Sequence, residues 1–142
     1  MIDLEKVLRG YVNCALWSTT DDEECTAEDI EYRCEECDAC NSDSSLSDNG
    51  YTYDDIESDT LKDMRTDVYA FVSANYDYIM CLSDTYREDD EMLGHDFWLS
   101  RNGHGAGFFD RGEGAIGDLL QEKAREYGEY YLYSAVNGQV CN

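Results

Sequence analysis

Residues 3–17 carry apolar side chains at Leu4, Val7, Leu8, Tyr11, Val12, Ala15 and Leu16. That spacing is one face of a helix, and Asp3 and Glu5 at its start suit the positive end of the helix dipole. Ser18, Thr19 and Thr20 break the pattern. Residues 21–50 have no apolar period and form a loop or small insert rich in acid, serine and cysteine. A second helix is predicted over 58–79, with Ser58 or Asp59 as its cap. Leu61, Met64, Val68, Phe71, Val72 and Asn75 share its inner face, and Lys62, Asp63, Arg65 and Asp67 its outer one. Residues 82–94 are polar and predict a loop. A third helix runs over 115–127 through Ile116, Leu119, Leu120, Lys123, Ala124 and Tyr127, and Gly128 ends it.

Between and after these helices the pattern predicts strands. Residues 95–101 alternate weakly, 106–111 form a second short run, and Asn102-Gly103 between them has the chemistry of a hairpin turn. Residues 129–135 and the closing Gln139-Val140-Cys141 flank a second Asn-Gly pair, Asn137-Gly138. The expected fold is therefore α+β: a small antiparallel sheet of three or four strands in two hairpins, packed against two or three helices. It forms one domain over 1–142, with 21–50 as an acidic, cysteine-rich insert.

Charge changes this picture more than any other property. The 142 residues hold 33 acids against 10 bases, a net charge of −23. Residues 21–60 contain 16 of those acids and a single base, Arg33. Such a chain repels nucleic acid and anionic membranes and attracts basic surfaces. No stretch has the apolar length of a membrane span, and the first residues lack the uninterrupted apolar run of a signal peptide. A bacterial or other cytoplasmic, reducing location is the expectation. There the odd count of seven cysteines favours free thiols or a metal over a disulfide framework.

Cys34, Cys37 and Cys40 stand in C-x2-C-x2-C spacing, with Cys25 nine residues upstream. Four thiolates at this spacing suit a tetrahedral structural zinc, and the run of three also suits an iron–sulfur cluster with a remote fourth ligand. Loose cysteines are the third possibility, because the surrounding acids both attract a cation and oppose thiolate formation. Cys14, Cys81 and Cys141 fit small core positions. The acidic stretches lack the spaced ligands of a calcium loop.

The segment HDFWLSRNGHGAGFFDRG, residues 95–112, concentrates reactive side chains. An enzyme built there would use His104 as base, Asp110 to orient it, Arg101 or Arg111 to hold an anion, and Ser100 as nucleophile. No complete catalytic motif accompanies them. A scaffold reading accounts for the same residues: glycines for tight backbone, Phe97, Trp98, Phe108 and Phe109 for core and cover, and Asp110 and Arg111 bonding Arg101 or the following Gly112-Glu113-Gly114 turn.

Three segments, YVNCALWSTTDDE at 11–23, YTYDDIESDTLKDMRTDVYAFV at 51–72 and the stretch from His95 to Tyr133, resemble a family of small acidic bacteriophage and prophage proteins with a DFWLxRNGHGAGFxDRG motif. The resemblance covers most of the chain outside 24–50, where the cysteine-rich insert departs from it. It implies a phage-encoded protein of the bacterial cytoplasm. It transfers no residue role. By analogy, small acidic phage proteins inhibit host machinery that handles nucleic acid.

The functional expectation is an acidic, non-enzymatic inhibitor that mimics nucleic acid and occupies a basic surface of a nucleic-acid-binding protein of host or phage. Duplex DNA carries one charge per roughly 1.7 Å of axis, a density that surface carboxylates can imitate. The residues expected to bind are Asp21, Asp22, Glu23, Glu24, Glu28, Asp29, Glu31, Asp54, Asp55, Glu57 and Asp59, with Glu88 to Glu91 as an extension and nearby tyrosines adding contact. A small enzyme at 95–111 and a zinc-binding module at Cys25, Cys34, Cys37 and Cys40 are the rivals.

Overall fold

The computed structural model describes residues 2–19, 45–83, 86, 88–103, 106–135 and 137–142. Most of these are helical. In chain order they form α1 (Leu4–Ser18), a 3-10 turn (Tyr53–Asp55), α2 (Ser58–Ala74), α3 (Tyr76–Ile79), α4 (Asp90–Arg101), a second 3-10 turn (Phe108–Asp110), α5 (Gly114–Arg125), β1 (Tyr133–Ser134) and β2 (Val140–Cys141).

Helix α1 forms where its pattern predicts. The Asp3 carboxylate caps it by accepting from the amides of Glu5 and Lys6, at 3.1 and 3.4 Å. A cap of this kind is worth about 1 kcal/mol. Its apolar face is buried from Val7 to Leu16 and packs mainly on α4. The two helices cross at glycines. A β-carbon on Gly94 would lie 1.8 Å from the Val7 carbonyl oxygen, and one on Gly10 would lie 1.9 Å from that of Glu91. The backbones touch, so no larger residue fits at either position.

Helix α2 starts at Ser58 as predicted, but Glu57 holds the cap position and no side chain caps the helix there. The predicted single helix over 58–79 is broken at Asn75. Its buried side-chain amide donates to the Phe71 carbonyl at 2.9 Å, and α3 follows as one short turn. Gly128, in a left-handed conformation with φ of +75°, follows α5 as predicted.

The predicted sheet of three or four strands is not what forms. Residues 95–101 are not a strand but the greater part of α4, and 106–111 form a 3-10 turn. The polar run at 88–91, expected in a loop, starts α4: Asp89 caps it by accepting from the amides of Glu91 and Met92, at 3.1 and 3.3 Å. Asn102-Gly103 ends α4 rather than turning a hairpin, with Gly103 at φ of +67°. The second hairpin survives in reduced form. β1 and β2 pair antiparallel, Tyr133 opposite Cys141 and Ser134 opposite Val140, in the only sheet among the described residues. Val140 also bridges Ile56, and its carbonyl accepts from the Glu57 amide at 2.8 Å, tying the C-terminus to the start of α2.

The core lies between α1, α2, α4 and α5. Phe71 of α2 stacks on Phe97 of α4 with centroids 4.1 Å apart, and Tyr11 of α1 stacks on the same Phe97 at 5.2 Å. No described helix is long and apolar enough to cross a membrane.

Candidate functional site

The polar side chains of 95–111 divide between two sites on opposite partners. The first surrounds Arg101, at the last turn of α4. Its guanidinium is buried and donates to Tyr11 Oη at 2.8 Å, Asp67 Oδ2 at 2.9 Å and the carbonyls of Gly128 and Tyr127 at 2.8 and 3.0 Å. The rings of Phe97, Tyr127 and Tyr130 lie 5.2–5.8 Å from it, within cation–π range. Burial pushes the Tyr130 hydroxyl up to about 12. Arg101 therefore clamps four segments together and has no face open to a substrate. Ser100 beside it is also buried, and its Oγ accepts from the Phe108 amide at 3.3 Å. Gly107 lies so close that a β-carbon there would sit 2.2 Å from that oxygen.

The second site surrounds Asp96, which is completely buried. Arg111 donates to it twice, Nε to Oδ2 at 3.1 Å and Nη2 to Oδ1 at 3.0 Å. The Tyr86 hydroxyl donates to Oδ2, and His95 Nδ1 lies 3.3 Å from Oδ1. Burial opposes the charge on Asp96. The hydrogen bonds from His95, Arg111 and Tyr86 outweigh it and hold the carboxyl below its ordinary range. Tyr86 shifts upward, from burial and from donating to that carboxylate.

A cleft of about 360 Å³ opens above this pair, between α1 and the start of α4. Trp17, Asn13 and Gly10 line it from α1, and His95, Met92, Glu91 and the cap residue Asp89 from the other side. Arg111 and the buried Cys14 complete the lining. The indole of Trp17 is 62% exposed, and its ring centroid is 6.3 Å from that of His95. Burial pushes the Cys14 thiol up to about 12, so it is no nucleophile at neutral pH. A second cleft, lined by Ile2, Leu4, Val72, Ser73 and Tyr76, carries no charged side chain.

The catalytic set considered from sequence is not brought together. Arg101 and Arg111 serve different carboxylates, Ser100 is sealed in the core, and Asp110 is exposed on the 3-10 turn. His104 lies outside the described residues. Among the described residues neither Asp110 nor the glycine turn pairs with an arginine as the scaffold reading expected; Asp67 and Asp96 take that part.

Of the expected binding carboxylates, Asp21, Asp22, Glu23, Glu24, Glu28, Asp29 and Glu31 lie outside the described residues, as do Cys25, Cys34, Cys37 and Cys40. No group of His, Cys, Asp and Glu suited to a metal occurs among the described residues. Asp54 and Asp59 are exposed, as expected. Asp55 and Glu57 serve the fold as well. Asp55 accepts from the Thr52 amide at 2.7 Å, and Glu57 bonds β2 through its amide and Cys141 through its side chain. Cys14 and Cys141 are buried, as core positions should be, but Cys81 is exposed.

Sequence reasoning passed over Trp17, Asp96 and Tyr86. Trp17 carried a signal, a large aromatic just off the apolar face of α1. Asp96 carried another, an acid set directly before the apolar run from Phe97 to Leu99. No model of a known family, no curated protein and no solved structure matches this chain.

Proposed function

We propose that the protein is a non-enzymatic acidic binding protein that occupies a basic surface on a nucleic-acid-handling partner and competes there with the nucleic acid. One observation carries this reading. Asp54, Asp59, Asp63, Asp77, Glu88, Glu91, Asp110, Asp118 and Glu122 are all exposed, and ion pairs among the described residues engage only Glu5, Asp67, Asp96 and Glu126. These nine acids are displayed to solvent with no ion pair among the described residues. Residues 21–44 add further acids in sequence. The burial of Ser100 and Arg101 supports the same reading, because it withdraws two groups a catalytic site would need. The resemblance of the chain to acidic phage proteins fits a target in bacterial defence or nucleic-acid processing.

The test is capture from bacterial lysate on the immobilised full chain, eluted along a salt gradient. The expected partner is basic, elutes as salt rises, and loses its bound DNA or RNA when the free protein is added. A captured protein that keeps its nucleic acid bound would sink the mimicry.

A further inference from the structure

The cleft beside Trp17 combines apolar walls from Trp17 and Met92 with two carboxylate residues, Asp89 and Glu91. Glu91 is exposed and lines the cleft, and Asp89, also in its wall, caps α4 through Oδ1 alone of its two carboxylate oxygens. His95 turns Nδ1 toward Asp96, and its other ring nitrogen, Nε2, takes no part in that contact. Among the described residues Arg111 is the one cation in the wall, and its charge is matched by its two bonds to Asp96. The local balance is negative, and the exposed indole face of Trp17 adds an electron-rich platform. At about 360 Å³ the cleft is small for a cofactor and sufficient for one long side chain. A planar cation with several N–H donors matches this set. A guanidinium stacks on an indole and satisfies several acceptors at once; an ammonium offers a point charge and no face to stack.

We infer that this cleft receives an arginine side chain of the partner, stacked on Trp17 and paired with Glu91. This rests on the reading of the protein as a ligand for a basic surface. It adds an anchoring point where the carboxylate display alone supplies only long-range attraction.

The chain has two tryptophans, and the other, Trp98, is buried with its Nε1 donating to Ser18 at 2.8 Å. Their indole N–H signals in an NMR titration of the full protein with a tetra-arginine peptide separate the cleft from the core. The Trp17 signal should shift saturably while that of Trp98 stays still, and tetra-lysine should bind more weakly. By calorimetry, Trp17→Ala and Glu91→Gln should each weaken tetra-arginine about three- to tenfold. Asp89 is a poor variant because it caps α4. An unmoved Trp17 signal, or unchanged affinity in both variants, overturns the inference. So does equal binding of tetra-lysine, which would mean attraction by charge alone. Capture of the partner separates the two proposals. A partner retained equally by Trp17→Ala sinks the cleft and spares the binding reading. A specific tetra-arginine site with no nucleic-acid-binding partner does the reverse.

Discussion

Asp96 is buried on α4 and accepts hydrogen bonds from Arg111, Tyr86 and His95, whereas Asp59 stands in solvent on the first turn of α2 with no ion pair among the described residues. The same contrast separates the two regions around them. In the second half of α4, Asp96, Ser100 and Arg101 are buried and bonded to other segments of the fold. On the 3-10 turn before α2 and along the outer side of α2, polar side chains face water. Net charge alone does not distinguish these uses. A buried carboxylate has to be matched by donors or it unfolds the chain, while an exposed one costs little and is free to meet a partner.

The largest effect should come from breaking the inner region at its centre. Asp96→Ala strips Arg111, Tyr86 and His95 of their shared acceptor, and losing one side of a buried pair costs about 3–5 kcal/mol. Urea unfolding would read this as a lower midpoint; a loss under about 1 kcal/mol would mean that Asp96 is dispensable to the fold. Next comes the helix crossing. Gly94→Ala drives a methyl into the Val7 carbonyl and should cost about 1–3 kcal/mol, more if α1 cannot move aside. A neutral result in thermal melting would place the helices further apart than they are described here.

Acid should weaken the inner region through Asp96, and only at low pH. The Asp96 carboxyl lies below its unfolded value of about 3.9, so its contribution is fully present above that pH. It is lost as pH falls further, through the folded value. Wild type should therefore lose stability below about pH 4 more steeply than Asp96→Asn. Parallel pH curves for the two would remove Asp96 from the acid transition. The smallest effect on folding belongs to the outer region. Asp54→Asn and Asp59→Asn should each change stability by no more than about 0.5 kcal/mol. The double variant should nonetheless release the captured partner at lower salt. A variant that folds and elutes like wild type would take this part of the surface out of the interface.

The three amphipathic helices were legible because each buries one face and wets the other. Helix α4 was not, because it is buried on nearly every side from Leu93 to Arg101, with His95 the half-exposed exception. A helix surrounded by protein has no polar face, so its 3.6-residue period disappears and a short apolar run resembles a strand. Asn-Gly misled for a related reason. Positive φ serves a hairpin turn and a helix end equally well: Gly138 uses it for the first and Gly103 for the second. The sites were harder still. Arg101 meets Asp67 across 34 positions and Tyr11 across 90, and no local spacing encodes such pairs. What the sequence did carry was the anomaly itself, charged residues inside an apolar run.

The glycine crossing of α1 and α4 also constrains how the chain assembles. Gly10 meets Glu91, so the tightest helix contact joins segments about 80 residues apart and closes a long loop before it yields any stability. Refolding should be slower than for a bundle of sequential hairpins. The same arithmetic makes length in the intervening chain inexpensive, since doubling a flexible loop adds only about 0.6 kcal/mol. The stretch after α1 can therefore be lengthened or replaced at small cost while the crossing stays unchanged.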